Sequence, residues 1–258
     1  MPPQARNVDP LAGQYFRDEL RRARADALGD AEAFDAVIVV IERLGSYLSM
    51  SSNGLAAYKP ALAELVKDSP LVAAIEESDD SYHTPFGTLF ELVREGRNVA
   101  VHEGALARHL TTHAIELSLM LEDALMADCR KAADYMIRSP IVAHPWQPLS
   151  FIRQSMLVNS FSYLPVQVNQ ANAWWLVSDR ELARYLRQAA SQSELKQRLR
   201  TTLRDAVSTG GLSLTRAKIL PPDALIPQIL DGDSDAPALV TDPGSGALLG
   251  LLAAFDLL

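Results

Sequence analysis

The feature that most constrains this chain of 258 residues is an internal repeat in its second half. The two copies are about 75 residues apart, and a period of this size is typical of a tandem structural module. The second half alternates short apolar strands with helices, and each copy opens with a short strand, a proline and the start of a helix. Three pairs of segments carry the repeat, in the same order: Ser139–Leu149 with Thr215–Leu225, Leu164–Val166 with Ala236–Val240, and Trp175–Leu182 with Gly250–Leu257.

The first half has a different pattern, which predicts helices and no sheet. Apolar residues recur at steps of three, four and seven, as on one face of an amphipathic helix. We expect a short helix to end at Gly96, because glycine favours the left-handed conformation that follows many helices. The predicted helices are 18–27, 31–48, 60–75, 86–95 and a long one over 97–127. Together they predict an all-α helical bundle.

Charge is distributed unevenly between the halves. Residues 1–127 hold 11 Lys and Arg against 20 Asp and Glu, a net charge of −9, whereas residues 128–258 have a net charge of +1. An acidic half is a poor general partner for nucleic acid, because binding depends on neutralising phosphates. The densest basic stretch lies in the second half and consists of Lys196, Arg198, Arg200, Arg204, Arg216 and Lys218.

Composition excludes several classes of protein. The single cysteine, Cys129, rules out an internal disulfide framework and a zinc site built from cysteines. His109 and His113 are four residues apart, but no third ligand is evident, so we expect no metal. The first 26 residues lack the apolar core of a secretory signal, and no apolar run reaches the roughly 18 residues of a membrane helix. We therefore expect a cytoplasmic protein that does not contact membranes.

The repeat resembles a pair of CBS domains, the module named after cystathionine beta-synthase. The opening with its proline, the Leu-Pro-Val strand at Leu164–Val166 and the ending at Trp175–Leu182 carry the resemblance. It implies the fold class α plus α/β: a helical bundle at 1–127, then two β-α-β-β-α units at 130–187 and 188–258. In this family the cleft between the copies often holds an adenosine nucleotide, so the resemblance implies AMP, ATP or a related ligand.

The resemblance also implies binding residues, although the match is incomplete. Ser178 and Glu181 match the hydroxyl and the acid of the family ending in the first copy, and Arg180 adds charge for a phosphate. In the second copy Asp256 matches the acid, but Ala253 replaces the hydroxyl. A helix N-terminus binds phosphate well, and an acid accepts hydrogen bonds from ribose hydroxyls. The alternative is that Ser178 only caps the helix at 179–187.

The segment Leu92–His102 looks like the HEPN family, all-α domains of prokaryotic toxins and RNases. The signature would consist of Arg97, Asn98 and His102, with arginine stabilising phosphate charge and histidine moving a proton without metal. Asn98 and His102 share a helix face, whereas Arg97 and His102 lie about 140° apart and converge only on a frayed turn or in a dimer. The alternative is that Arg97 and Asn98 merely begin the long helix.

Two classes of function follow from these patterns. The first is a homodimeric regulatory protein whose CBS pair senses an adenine nucleotide and controls the helical domain, without catalysis of its own. The second is a metal-independent RNase of the HEPN type, gated by the same nucleotide, with RNA as its partner. The acidic first half favours the regulatory protein.

Overall fold

The structure, a computed structural model, consists of two compact units, Met1–Cys129 and Arg130–Leu258. It describes residues 8–30, 33–78, 82–100, 107–167, 173–209, 211–231 and 235–258. Within these residues the first unit is helical and the second contains both helices and strands. The predicted succession of a helical part and an α/β part is confirmed.

Six helices make up the described part of the first unit: α1 Pro10–Gly29, α2 Phe34–Ser49, α3 Leu55–Val66, α4 Pro70–Glu76, α5 Phe86–Ala100 and α6 Ala107–Met126. Local sequence sets several of their ends. The carboxylate of Asp9 accepts hydrogen bonds from the amides of Leu11 and Ala12, which caps α1. The hydroxyl of Ser69 caps α4 in the same way by accepting from the amide of Val72.

The predicted boundaries of three helices are wrong. The helix expected over 60–75 is two helices: α3 starts five residues before Pro60, and α4 starts at Pro70. Gly96 does not end a helix, because α5 continues to Ala100. A side-chain carbon added at Gly96 would lie 2.9 Å from Leu110 Cδ1, so this glycine allows α5 and α6 to approach closely. The expected start of the long helix at Arg97 is also wrong, because Arg97 lies within α5, whereas residues 101–106 of that prediction lie outside the described residues.

The core of the first unit is built from the apolar faces of these helices. Its largest fully buried side chains include Leu20 of α1, Ile41 of α2 and Leu121 of α6. Glu122 lies beside this core and pairs with Arg24 and, at 3.2 Å between Nε and Oε2, with Arg21. Burial raises the pKa of Glu122, and the two guanidinium groups oppose that shift. These ion pairs connect α1 to α6.

The second unit contains short strands and helices in alternation. Its helices are α7 Ala132–Tyr135, α8 Leu149–Asn159, α9 Asp179–Arg187, α10 Gln192–Arg200, α11 Leu203–Ser208, α12 Ile226–Leu230 and a final 3-10 helix Ala254–Leu257. Its strands are β1 Ile137–Arg138, β2 Tyr163–Gln167, β3 Trp174–Ser178, β4 Thr215–Arg216, β5 Lys218–Leu220, β6 Ala238–Thr241 and β7 Leu248–Leu252.

The sequence repeat appears as two antiparallel hairpins, each followed by a helix. The strands β2 and β3 pair with Leu164 opposite Val177, and β6 and β7 pair with Leu239 opposite Leu251. These hairpins belong to two sheets, with strand orders β2-β3-β4 and β1-β7-β6-β5. Short continuous apolar runs, such as Leu164–Val166 on β2 and Ala238–Val240 on β6, explain why the repeat was visible in the sequence.

The leading strand of each copy pairs with the hairpin of the other copy. Strand β1 precedes the first hairpin but pairs with β7, which places Ile137 opposite Leu251. Strand β4 precedes the second hairpin but pairs with β3, which places Thr215 opposite Leu176. The predicted division of this unit after residue 187 stays a prediction. The core around the first hairpin also includes two residues beyond that position, Leu203 and Leu212.

Gly45 provides a test of the helix packing. A side-chain carbon added there would lie 2.5 Å from Tyr58 Cβ, so α2 and α3 touch at this glycine. We expect Gly45→Ala to lower the free energy of unfolding by about 1–3 kcal/mol, because overpacking outweighs the better helix propensity of alanine. The measurement is urea denaturation at equilibrium.

Gly87→Ala is the matched control for this substitution. Gly87 also lies in a helix, α5, but an added carbon there would meet nothing within 4 Å. We expect its free energy of unfolding to stay unchanged or to rise by up to about 1 kcal/mol. Equal stability of the two variants would contradict the close contact between α2 and α3.

Candidate functional site

The candidate nucleotide site lies where β3 ends and α9 begins. Ser178 is the last residue of β3 and the N-cap of α9, with an extended backbone. Its hydroxyl oxygen accepts a hydrogen bond from the amide of Glu181 at 3.2 Å, and its side chain is buried. The serine therefore satisfies one of the helix amides that have no partner inside the helix.

The other two residues predicted in the first copy lie on the first turn of α9. Glu181 accepts from Arg184 Nη1 with both carboxylate oxygens, at 2.8 and 2.9 Å. Arg180 is exposed, and its guanidinium makes no hydrogen bond or ion pair with any residue that the structure describes. The helix start thus combines an unpaired cation with the positive end of the helix dipole.

The corresponding residues of the second copy are arranged differently. Asp256 lies on the final 3-10 helix, is buried, and accepts from the amide of Ala253 at 2.8 Å between N and Oδ2. Ala253 has no hydroxyl, so the carboxylate caps the helix here, whereas the hydroxyl of Ser178 caps it in the first copy. The structure brings Ser178, Arg180 and Glu181 together at one helix end and places Asp256 on a separate element.

The candidate catalytic residues of the first half are only partly described. Arg97 lies in the last turn of α5, so the expectation that it begins a helix is wrong. Its Nη1 forms an ion pair with Glu42 Oε1 on α2. The side chain of Asn98 and all of His102 lie outside the described residues. The guanidinium that was predicted to hold a phosphate therefore has a carboxylate partner within its own unit.

Two of the six cations in the basic stretch, Arg198 and Lys218, have partners within the fold. Arg198 pairs with Glu194 at 2.6 Å between Nη2 and Oε1, and its guanidinium lies over the ring of Tyr185. Lys218 Nζ donates to the carbonyl oxygens of Ile229, at 3.2 Å, and Asp231. Because these two cations already have partners within the fold, they are less available to an external anion.

A cavity of about 570 Å³ in the second unit was missed by the sequence analysis. It lies beside the turn that joins β6 to β7. Trp174 lines this cavity, and its indole nitrogen donates to the carbonyl oxygen of Gly246 at 3.1 Å. No local pattern indicated the cavity, since its walls come from distant parts of the sequence.

The described residues contain neither a metal cluster nor a membrane-spanning helix. No group of three or more His, Cys, Asp and Glu side chains there is arranged to hold a metal ion. Among the helices described, none combines the length and the apolar character needed to cross a membrane.

The comparisons with known proteins concern the second half of the chain. No family model and no curated protein matches the sequence. Among solved structures, AcuB from Vibrio cholerae is similar over 49% of this chain and 86% of its own, with 17% identity and a TM-score of 0.38.

Two further solved structures show the same extent of similarity. CBSX2 in complex with AMP matches 49% of this chain and 92% of its own, with 16% identity and a TM-score of 0.36. The CBS-domain protein ATU1752 from Agrobacterium tumefaciens matches 50% of this chain and 90% of its own, with 12% identity and a TM-score of 0.38. The similar structures are therefore CBS-domain proteins, and they cover half of the chain.

Proposed function

We propose that residues 130–258 form a regulatory CBS pair that binds an adenine nucleotide and thereby controls the helical first unit. The observation that carries this proposal is the start of α9, where Ser178, Arg180 and Glu181 lie together. The repeated hairpin and helix, with leading strands exchanged between the copies, support the assignment of a tandem module.

The first copy has the better chemistry for a nucleotide. The guanidinium of Arg180, which has no partner among the described residues, and the amides of the first turn of α9 attract phosphate. Glu181 accepts from Arg184 at 2.8 Å, which orients its carboxylate. A carboxylate accepts about four hydrogen bonds, so ribose hydroxyls can share these oxygens with Arg184. In the second copy, Asp256 alone provides an acid, without a hydroxyl beside it.

Calorimetric titration of the full chain with AMP and with ATP tests this proposal. We expect Arg180→Gln and Glu181→Ala each to weaken binding by about 1.5–3 kcal/mol, because each removes a hydrogen bond to a charged group. Arg187→Gln is the matched control, since Arg187 is an exposed arginine at the opposite end of the same helix. This variant should bind the nucleotide as the unchanged chain does.

Asp256→Ala distinguishes the two copies. Weaker binding by this variant alone would move the site to the second copy and leave the nucleotide function intact. Equal affinity of the unchanged chain, Glu181→Ala and Asp256→Ala would overturn the site. Circular dichroism of each variant checks that the fold is retained, because Asp256 also caps the final helix.

We further propose that the protein acts as a homodimer. Helix α8 exposes three large apolar side chains, Phe151, Leu157 and Val158, at 49%, 62% and 75% of their surface. Exposed apolar groups clustered on one element are typical of an interaction surface, and two-fold dimers are the commonest closed assembly.

Light scattering at micromolar concentration tests the dimer. We expect twice the chain mass of 28.2 kDa, and dissociation on Val158→Lys, which introduces a charge on the apolar face of α8. Leu28→Lys is the control, because Leu28 is an equally exposed leucine in the first unit. A mass of 28.2 kDa for the unchanged chain would contradict the proposal.

The proposed role of the first unit is non-catalytic. The ion pair between Arg97 and Glu42 supports this, since a guanidinium paired with a carboxylate must lose that partner before it binds a phosphate. We expect no metal-independent cleavage of labelled single-stranded RNA, with or without AMP. Cleavage that rises on Glu42→Gln and disappears on Arg97→Ala would instead establish the RNase.

A further inference from the structure

The cavity beside the turn between β6 and β7 is separate from the proposed nucleotide site. None of Ser178, Arg180, Glu181 and Asp256 lines it. Its volume of about 570 Å³ lies within the range typical of sites for small molecules. The residues on its walls that matter chemically are Trp174, Arg216, Ile219, Pro221, Asp242 and Pro243.

The apolar walls of the cavity are held in place. The indole of Trp174 is oriented by its hydrogen bond to the carbonyl oxygen of Gly246, which lies in the turn between β6 and β7. Pro221 and Pro243 have restricted backbones, and they lie after β5 and β6, respectively. Ile219 is half exposed at this opening. These groups offer a preformed apolar surface to the body of a ligand.

One cation and one anion also line the cavity. Arg216 is exposed on β4, and its guanidinium makes no hydrogen bond or ion pair within the described part of the chain. Asp242 Oδ1 accepts from the amide and hydroxyl of Ser245, both at 2.7 Å, and from the amide of Gly244 at 3.2 Å. The hydrogen bonds from Ser245 hold the pKa of Asp242 below its usual value, so the group is charged at neutral pH.

The second oxygen of Asp242 is available to a ligand, since no described residue donates to Oδ2. A purely anionic ligand would meet Arg216 favourably but would be repelled by this carboxylate. A purely cationic ligand would be attracted by Asp242 but repelled by Arg216. The cavity is therefore complementary to a molecule that carries both charges and an apolar body.

We propose that this cavity binds an α-amino acid with an apolar side chain. The ligand carboxylate contacts the guanidinium of Arg216, its ammonium donates to Asp242 Oδ2, and its side chain packs against Trp174 and Ile219. The site is independent of the proposed nucleotide function, because the two share no residue. It makes the second unit a receptor for two small molecules of different chemistry.

Calorimetry of the full chain with L-phenylalanine as the probe tests this site. Phenylacetate and phenethylamine, which each keep one of the two charges, are the comparison ligands. We expect L-phenylalanine to bind at least about tenfold more tightly than either, because each lost contact is a hydrogen bond between charged groups. No binding of L-phenylalanine, or binding no tighter than that of phenylacetate, would overturn the proposal.

Two variants assign the contacts to residues. Arg216→Gln and Asp242→Asn should each weaken L-phenylalanine binding about 10- to 100-fold. Asparagine keeps a side-chain oxygen that can accept the hydrogen bonds from Gly244 and Ser245. The turn that forms this wall of the cavity is therefore preserved. Arg153→Gln, at an exposed arginine of α8, is the control and should bind as the unchanged chain does.

The outcomes separate this proposal from the nucleotide proposal. Arg216→Gln should leave the affinity for AMP unchanged, and Arg180→Gln should leave the affinity for L-phenylalanine unchanged. Unaltered L-phenylalanine binding by both Arg216→Gln and Asp242→Asn would show that the amino acid binds elsewhere, and the cavity would lose its assignment.

Discussion

The second unit depends on the exchange of leading strands between its two copies. Strands β1 and β4 have two residues each, too few to form a stable strand by themselves. Their backbone amides and carbonyls find partners on β7 and β3, the hairpins of the opposite copies. Because these partners are far apart in sequence, neither copy completes its own sheet, and the two halves of the repeat must form together.

The same exchange contributes to the wall of the proposed cavity. Pairing of β4 with β3 places Arg216 opposite Trp175, next to Trp174 on the cavity wall. It also lays Thr215 opposite Leu176 on the strand that ends in Ser178. Leu176, Ala217 and Leu239 form a small buried cluster that joins strands from both copies. The cavity therefore belongs to the pair of copies, whereas Ser178, Arg180 and Glu181 of the proposed nucleotide site all lie in the first copy.

The start of α9 shows how capping and binding use the same groups. Ser178 satisfies the amide of Glu181, which stabilises the helix in the absence of any ligand. The remaining amides of the first turn and the unpaired Arg180 still present positive charge outward. Ser178 caps the helix whether it acts only as a cap or also as part of a phosphate site. The two interpretations therefore differ in whether Arg180 contacts a phosphate.

The sequence by itself determined the features that depend on local periodicity. The helical first half, the apolar strand segments at Leu164–Val166 and Ala238–Val240 and the cap at Ser178 all follow from patterns within about ten residues, where apolar periodicity and capping act. Helix ends were less predictable. Gly96 matches a helix terminator, yet it lies within α5, where an added side-chain carbon would come within 2.9 Å of Leu110 Cδ1 on α6.

Only the tertiary structure decided what depends on residues far apart in the chain. The pairing of Arg97 with Glu42, 55 positions away, changes a candidate catalytic group into one member of an ion pair. The contact between Trp174 and Gly246, 72 positions apart, forms one wall of the cavity. No spacing in the sequence predicts such contacts, because they depend on how strands and helices pack. Packing depends on the shape and burial of the side chains and not on their order along the chain.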